Sequence, residues 1–164
     1  MQIPNTLMAK RLSKKISWIR LIFSVAICFA AGAVGSIFTA PAIPTWYAGL
    51  VKPAFAPPNY VFAPVWTTLY FLMGISLYLI WQKKEAKNLF LIHLVFNTAW
   101  SIIFFGFKNI PLALVNIIIL WLLIAAMIVK FYKINKVASY LLVPYLAWVT
   151  VATYLNYSLF LLNF

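Results

Sequence analysis

The strongest constraint in this sequence is a set of five apolar stretches, at about residues 21–40, 61–81, 89–107, 112–129 and 138–162, none of which contains Lys, Arg, Asp or Glu. Each is about as long as the roughly 20 residues a helix needs to cross about 30 Å of hydrocarbon. Lipid offers no water to backbone N–H and C=O groups, so a spanning segment of this length must satisfy them internally, as a helix. The expected fold is an all-α integral membrane protein, a bundle of five transmembrane helices. It divides the chain into a basic N-terminal extension at 1–20 and a membrane domain at 21–164, with a loop at 41–60 between the first two spans.

The basic residues orient these spans. Lys10, Arg11, Lys14, Lys15 and Arg20 precede the first, Lys83, Lys84 and Lys87 follow the second, and Lys130, Lys133 and Lys136 follow the fourth. The remaining connections hold Lys52 and Lys108. Five spans put the first group on one side, and positive loops stay in the cytoplasm, so the N-terminus is expected inside and the C-terminus outside. The net charge of +12, with Glu85 the sole acid, is thus read as topology. Nucleic-acid binding is a poor reading, because the charges sit at membrane boundaries.

Composition closes other classes. At 66% hydrophobic residues, one membrane domain accounts for the chain. A single Cys28 cannot form an internal disulfide. One carboxylate, one His and one Cys cannot build a carboxylate pair, a two-metal centre or a nucleophile–His–acid arrangement, so no metal site and no conventional catalytic constellation is expected.

In the extension, Leu12, Ile16 and Ile19 recur at helical spacing while Lys10, Arg11, Lys14 and Lys15 take another face. This describes a basic amphipathic segment suited to anionic lipid. A targeting peptide is the rival, but the apolar run that follows is longer than a usual signal core and reads as a retained first span.

Small and polar residues indicate which faces meet. Cys28, Gly32 and Ser36 fall four apart, a stripe that lets another helix approach closely. His93, Asn97, Ser101 and Phe104 share a face of the third span, which should look inward because an unpartnered Asn or His is costly in lipid. Asn116 and Asn156 invite the same inference. Trp66 and Tyr70 lie four apart on the second span, and Tyr145, Trp148, Ala152 and Asn156 follow one stripe of the fifth. If these faces converge they form an aromatic slot in which Ala152 leaves room, suited to a flat apolar ligand oriented by a few polar groups. Trp18, Trp81 and Trp121 read as packing or interfacial residues.

The loop between the first two spans carries Pro41, Pro44, Pro53, Pro57 and Pro58 with Trp46, Tyr47 and Phe55 interleaved. Proline stiffens it and prevents long regular structure. It reads either as a lid or as part of an interfacial aromatic belt. Lys52, its one cation, is either an ordinary interfacial lysine or a partner for a ligand carboxylate.

Trp46-Tyr47-Ala48-Gly49-Leu50 with Lys52-Pro53, Pro57-Pro58, Pro64-Val65-Trp66-Thr67, Leu69-Tyr70 and Met73-Gly74 resemble the TspO/MBR family of tryptophan-rich sensory and translocator proteins, which includes the peripheral-type benzodiazepine receptor. Asn97 with Trp100-Ser101 and Phe104-Phe105-Gly106 is similar to its third helix. Pro144-Tyr145-Leu146-Ala147-Trp148, Ala152-Thr153 and Leu155-Asn156-Tyr157 are similar to its fifth. The match runs from about Gly32 to the end.

The resemblance implies a bundle, commonly dimeric, with a cavity beneath the first loop. It implies a protoporphyrin IX or haem ligand and a role as sensor, scavenger or carrier in a bacterial cell membrane. It also implies an alternative, light- and oxygen-dependent porphyrin degradation at the positions of Trp66 and Trp148. A third reading is a lipid- or sterol-interacting membrane protein. The candidate ligand-binding residues are Trp46, Tyr47, Lys52, Trp66, Tyr70, His93, Asn97, Trp100, Tyr145, Trp148, Ala152 and Asn156. No cofactor is required; porphyrin or haem enters as ligand.

Three positions depart from the family pattern. His93 stands where many relatives have Gln, which makes haem ligation imaginable and a simple hydrogen bond the commoner role. Asn116 replaces a residue often acidic. Tyr157 is followed by Ser158-Leu159-Phe160-Leu161-Leu162, without the basic residue that a sterol-recognition pattern needs.

Overall fold

Each apolar stretch becomes a helix long enough to cross a membrane in the computed structural model, which describes residues 17–164. The helices are α1 (Trp18–Ala42), α2 (Asn59–Ile80), α3 (Lys84–Ser101), α4 (Ile110–Tyr132), a short α5 (Lys136–Tyr140) and α6 (Val143–Asn163). Among the described residues there is no strand. The chain is a multi-pass integral membrane protein. The amphipathic reading of the extension depends on residues 1–16, which lie outside the described residues.

Two spans depart from plain helices. The third does not end at α3 but continues as a π-helical segment, Ile102–Gly106, closed by Phe107 N–H donating to Ile102 O at 2.9 Å. Lys108 then takes a left-handed φ of 55° to reverse the chain into α4. Asn109 caps α4, its Oδ1 accepting from Leu112 N–H at 2.9 Å, with Pro111 in the first turn where its missing N–H costs nothing. The fifth span, expected as one helix at 138–162, is broken between α5 and α6. Pro144 has no N–H to give Tyr140 O, so the ladder cannot run through it, and α6 restarts with Pro144 in its first turn. Asn135 caps α5 by accepting from Ala138 N–H.

Around the bundle the order is α2, α1, α3, α4, α6, and α5 returns the chain end to α2. Small residues set the close approaches. A Cβ on Gly74 would lie 2.6 Å from the Val25 backbone, and a Cβ on Gly32 would meet the Tyr70 ring. These two glycines therefore let α1 and α2 pack along one face. Ser76 Oγ donates to Ala138 O at 2.8 Å and so ties α2 to α5. The core of Met73, Leu77, Phe90, Ile124, Met127 and Phe131 fills the half of the bundle that carries the basic loops. Towards the other end, below the first loop, packing gives way to a cavity.

Candidate functional site: an aromatic cavity under the first loop

The first loop folds over the bundle through a single 3₁₀ turn, Tyr47–Gly49. Tyr47 is buried there against Phe104 and Phe105, with ring centroids 6.3 and 5.9 Å away, and Trp46 meets the same two rings edge-on. Burial pushes the Tyr47 phenol above its ordinary value of 10, which keeps this ring neutral. The loop is fastened to the end of α6. Val51 N–H donates to Asn163 Oδ1 at 3.0 Å, Asn163 Nδ2 donates back to Val51 O at 3.1 Å, and Phe55 stacks on Tyr154 at 4.7 Å.

The cavity beneath has a volume of about 260 Å³. Its walls are Gly32, Ser36, Thr39, Ala40 and Ile43 of α1 and its end, Asn59, Phe62, Ala63, Trp66 and Tyr70 of α2, Trp100, Ser101, Phe104 and Phe105 of the third span, and Trp148, Ala152, Leu155, Asn156 and Leu159 of α6. Ser36, Ala40, Asn59 and Ala63 line it and are exposed, which places a mouth between the outer halves of α1 and α2.

The floor is a hydrogen-bonded chain. Tyr70 O–H donates to Asn97 Oδ1 at 3.0 Å, and Asn97 Nδ2 donates to the buried Tyr145 hydroxyl at 2.8 Å. Asn97 thus satisfies both halves of its amide against two helices. Trp66 stacks on Tyr70 at 5.4 Å and meets Tyr145 edge-on at 6.1 Å. On the opposite wall Trp100 Nε1–H donates to Asn156 Oδ1 at 3.0 Å, and Asn156 Nδ2 donates to Ile110 O at 3.2 Å. This holds Trp100 parallel to Phe104, centroids 5.0 Å apart.

Of the twelve residues expected from the sequence, Tyr47, Trp66, Tyr70, Trp100, Trp148, Ala152 and Asn156 line the cavity. Asn97 and Tyr145 stand directly behind Tyr70, and Trp46 backs the roof. Lys52 does not reach the cavity lining. Its Nζ donates to Ala48 O and Leu50 O and sits 4.7 Å over the Tyr47 ring, on the outside of the loop. Nor does His93 line it. Its ring is fully buried against Phe90 and Tyr145, and Nδ1 donates to Phe90 O at 2.7 Å, which leaves Nε2 as a bare acceptor without a partner. Asn116 serves elsewhere, donating to Phe96 O and joining α4 to α3. Among the described residues no group of His, Cys, Asp or Glu is arranged to hold a metal.

Several wall residues carried little or no sequence signal. Phe62 and Thr39 look like ordinary lipid-span residues. Phe105 turns inward beside Phe104 because the π-helical segment alters the register of the third span, which regular helical spacing does not anticipate. Gly32 and Ser36 were legible as small residues for packing, yet they also form wall.

A family model described as the TspO/MBR family matches residues 24–162. The Tryptophan-rich protein TspO of Archaeoglobus fulgidus is 45% identical over 150 residues, covering 88% of this chain and 97% of that relative. The protein of the same name from Chlorobaculum tepidum is 41% identical, covering 87% and 95%. The human Translocator protein is 40% identical over 132 residues, covering 76% and 78%.

Proposed function

Since the chain belongs to the TspO/MBR family, we propose that it is a tetrapyrrole-binding membrane protein, a sensor, scavenger or carrier that takes protoporphyrin IX or haem into the cavity under its first loop. The observation that carries this reading is the composition of the walls. Aromatic rings from three spans and the loop surround a space whose polar groups are few, with Tyr70, Trp100 and Asn156 held in hydrogen bonds. Such a site favours a flat apolar molecule by stacking and desolvation, with little demand for charge.

At about 260 Å³ the cavity lies just below the roughly 300–1,000 Å³ of drug-sized sites. A macrocycle therefore extends through the mouth between α1 and α2 or displaces wall residues. The carboxylates of such a ligand are best placed at the mouth and the loop. Lys52 can meet them once it leaves Ala48 and Leu50. As an exposed pair this is worth about 1 kcal/mol or less, so Lys52→Ala should weaken porphyrin binding only slightly. Residence in a bacterial cell membrane and assembly as a homodimer belong to the same reading.

Titrating the purified protein in lipid nanodiscs with protoporphyrin IX, haem and a sterol, while following tryptophan fluorescence, tests it. Saturable one-to-one quenching by a tetrapyrrole is the expected result. Saturation by the sterol alone would favour the lipid-interacting reading. The photo-oxidative alternative is favoured by Trp66 and Trp148 both facing the cavity, since indole is the most readily oxidised side chain there. Illumination of the complex under oxygen, with isolation of products, separates degradation from simple binding.

A further inference from the structure

Trp148 belongs to two walls at once. It lines the interior cavity and also a groove on the outer face of the bundle between α2 and α6, formed with Pro64, Val65, Thr68, Ala147 and Val151. Thr68, Ala147 and Val151 are exposed, so in a membrane this groove is filled by hydrocarbon. No other residue is common to these two linings. At the level of the cavity α2 and α6 are bridged by rings, Phe62 against Trp148 at 5.7 Å and Trp66 against Tyr145 at 6.1 Å. Lower down the bridge is of another kind, the hydrogen bond from Ser76 to the Ala138 carbonyl of α5.

The indole N–H of Trp148 is buried and unfastened. Trp100 and Trp121 each donate their N–H, to Asn156 and Thr150 at 3.0 and 2.8 Å. Trp148 Nε1–H is buried without any acceptor. Swinging this side chain about χ1 and χ2 forfeits no hydrogen bond, and a buried donor without a partner is already a cost in the closed position. Neighbouring Ala152 and Ala147 are small and leave space on either side. The roof offers no such freedom, being held by two hydrogen bonds to Asn163 and a stacked Phe55–Tyr154 pair.

We propose that Trp148 is a swinging partition through which flat apolar molecules dissolved in the bilayer pass laterally, between α2 and α6, into the cavity. This route is separate from the mouth between α1 and α2 on the other side of α2. As a passage for tetrapyrroles it rests on the function proposed above. As a partition it does not, and the test keeps the two apart.

With Cys28→Ser removing the native thiol, Ala152→Cys places a thiol on the cavity wall. The protein in nanodiscs is labelled with pyrene maleimide, which partitions into lipid, and the labelling rate is measured. Trp148→Ala should raise that rate severalfold, and Ala147→Phe, which fills the groove from the lipid side, should lower it severalfold. Ala147 faces lipid, so this second variant tests the idea even if Trp148→Ala folds poorly. An unchanged rate in Ala147→Phe, with slowing instead in Ala40→Phe at the other mouth, would overturn the partition. Protoporphyrin titration of the same parent protein then reads out the function independently. Absence of quenching there, with labelling still governed by Ala147 and Trp148, would sink the tetrapyrrole ligand and leave the partition standing.

Discussion

Asn97 shows what one residue does in this bundle and how far the sequence reveals it. An amide inside a membrane span must find partners, which marks Asn97 as inward-facing from sequence alone. Which partners it finds was not legible, because Tyr70 and Tyr145 lie 27 and 48 residues away and only the bundle order brings them together. Asn97→Leu leaves two phenols without their buried partner, at about 1–3 kcal/mol for each orphaned group. Thermal unfolding in nanodiscs should drop clearly for this variant and less for Tyr70→Phe, which removes a single bond. Equal stabilities would show that the chain carries no weight. At Trp66 and Trp148, substitution by Phe keeps a ring and sacrifices the indole. Porphyrin affinity, read by quenching of the remaining tryptophans, should fall less than about tenfold, within the ~0.5–1.5 kcal/mol of an aromatic pair. If the photo-oxidative alternative holds, light-driven breakdown should nearly vanish in either variant while binding persists.

The five spans were legible as elements because length and the absence of charge are properties of a segment by itself. Their irregularities were less so. Pro144 foretells a disturbance, but α5 is also fastened in place by two serines, Ser76 of α2 donating to the Ala138 carbonyl of α5 and Ser139 of α5 donating to the Ile128 carbonyl of α4. The π-helical end of the third span has no proline or glycine at its start, and its function, turning both Phe104 and Phe105 to the cavity, is visible only in three dimensions. The loop was expected to be stiff from its prolines. Its fastening to Asn163, 112 residues on, was not foreseeable. Asn163→Ala removes both bonds to Val51. Hydrogen exchange followed by mass spectrometry should show faster exchange around Val51, with the cores of α3 and α4 unchanged. Unaltered exchange in the loop would mean that the Phe55–Tyr154 stack and the Tyr47 anchor hold it unaided.

For the molecule as a whole, the alternation of basic and neutral loops gives an orientation that the bundle itself does not contain. The basic connections gather at one end, where Lys130 and Glu85 pair at 3.1 Å, and the lid and cavity lie towards the other. Cysteines placed at Ala54 or Phe164 should react with a membrane-impermeant maleimide added to intact cells, and cysteines at Lys84 or Lys133 should not. The opposite pattern would invert the protein and put the cavity on the cytoplasmic side.

The central claim is that the space under the lid is where the ligand sits. The most direct measurement is protoporphyrin IX affinity in Ala152→Phe, which places a ring inside the cavity of about 260 Å³. Val129→Phe, on the lipid-facing side of α4, serves as the control of equal bulk. The account predicts a loss of at least about tenfold in affinity for Ala152→Phe, or about 1.4 kcal/mol, and none for Val129→Phe. Unchanged affinity in a folded Ala152→Phe protein would contradict it and place the ligand outside the cavity.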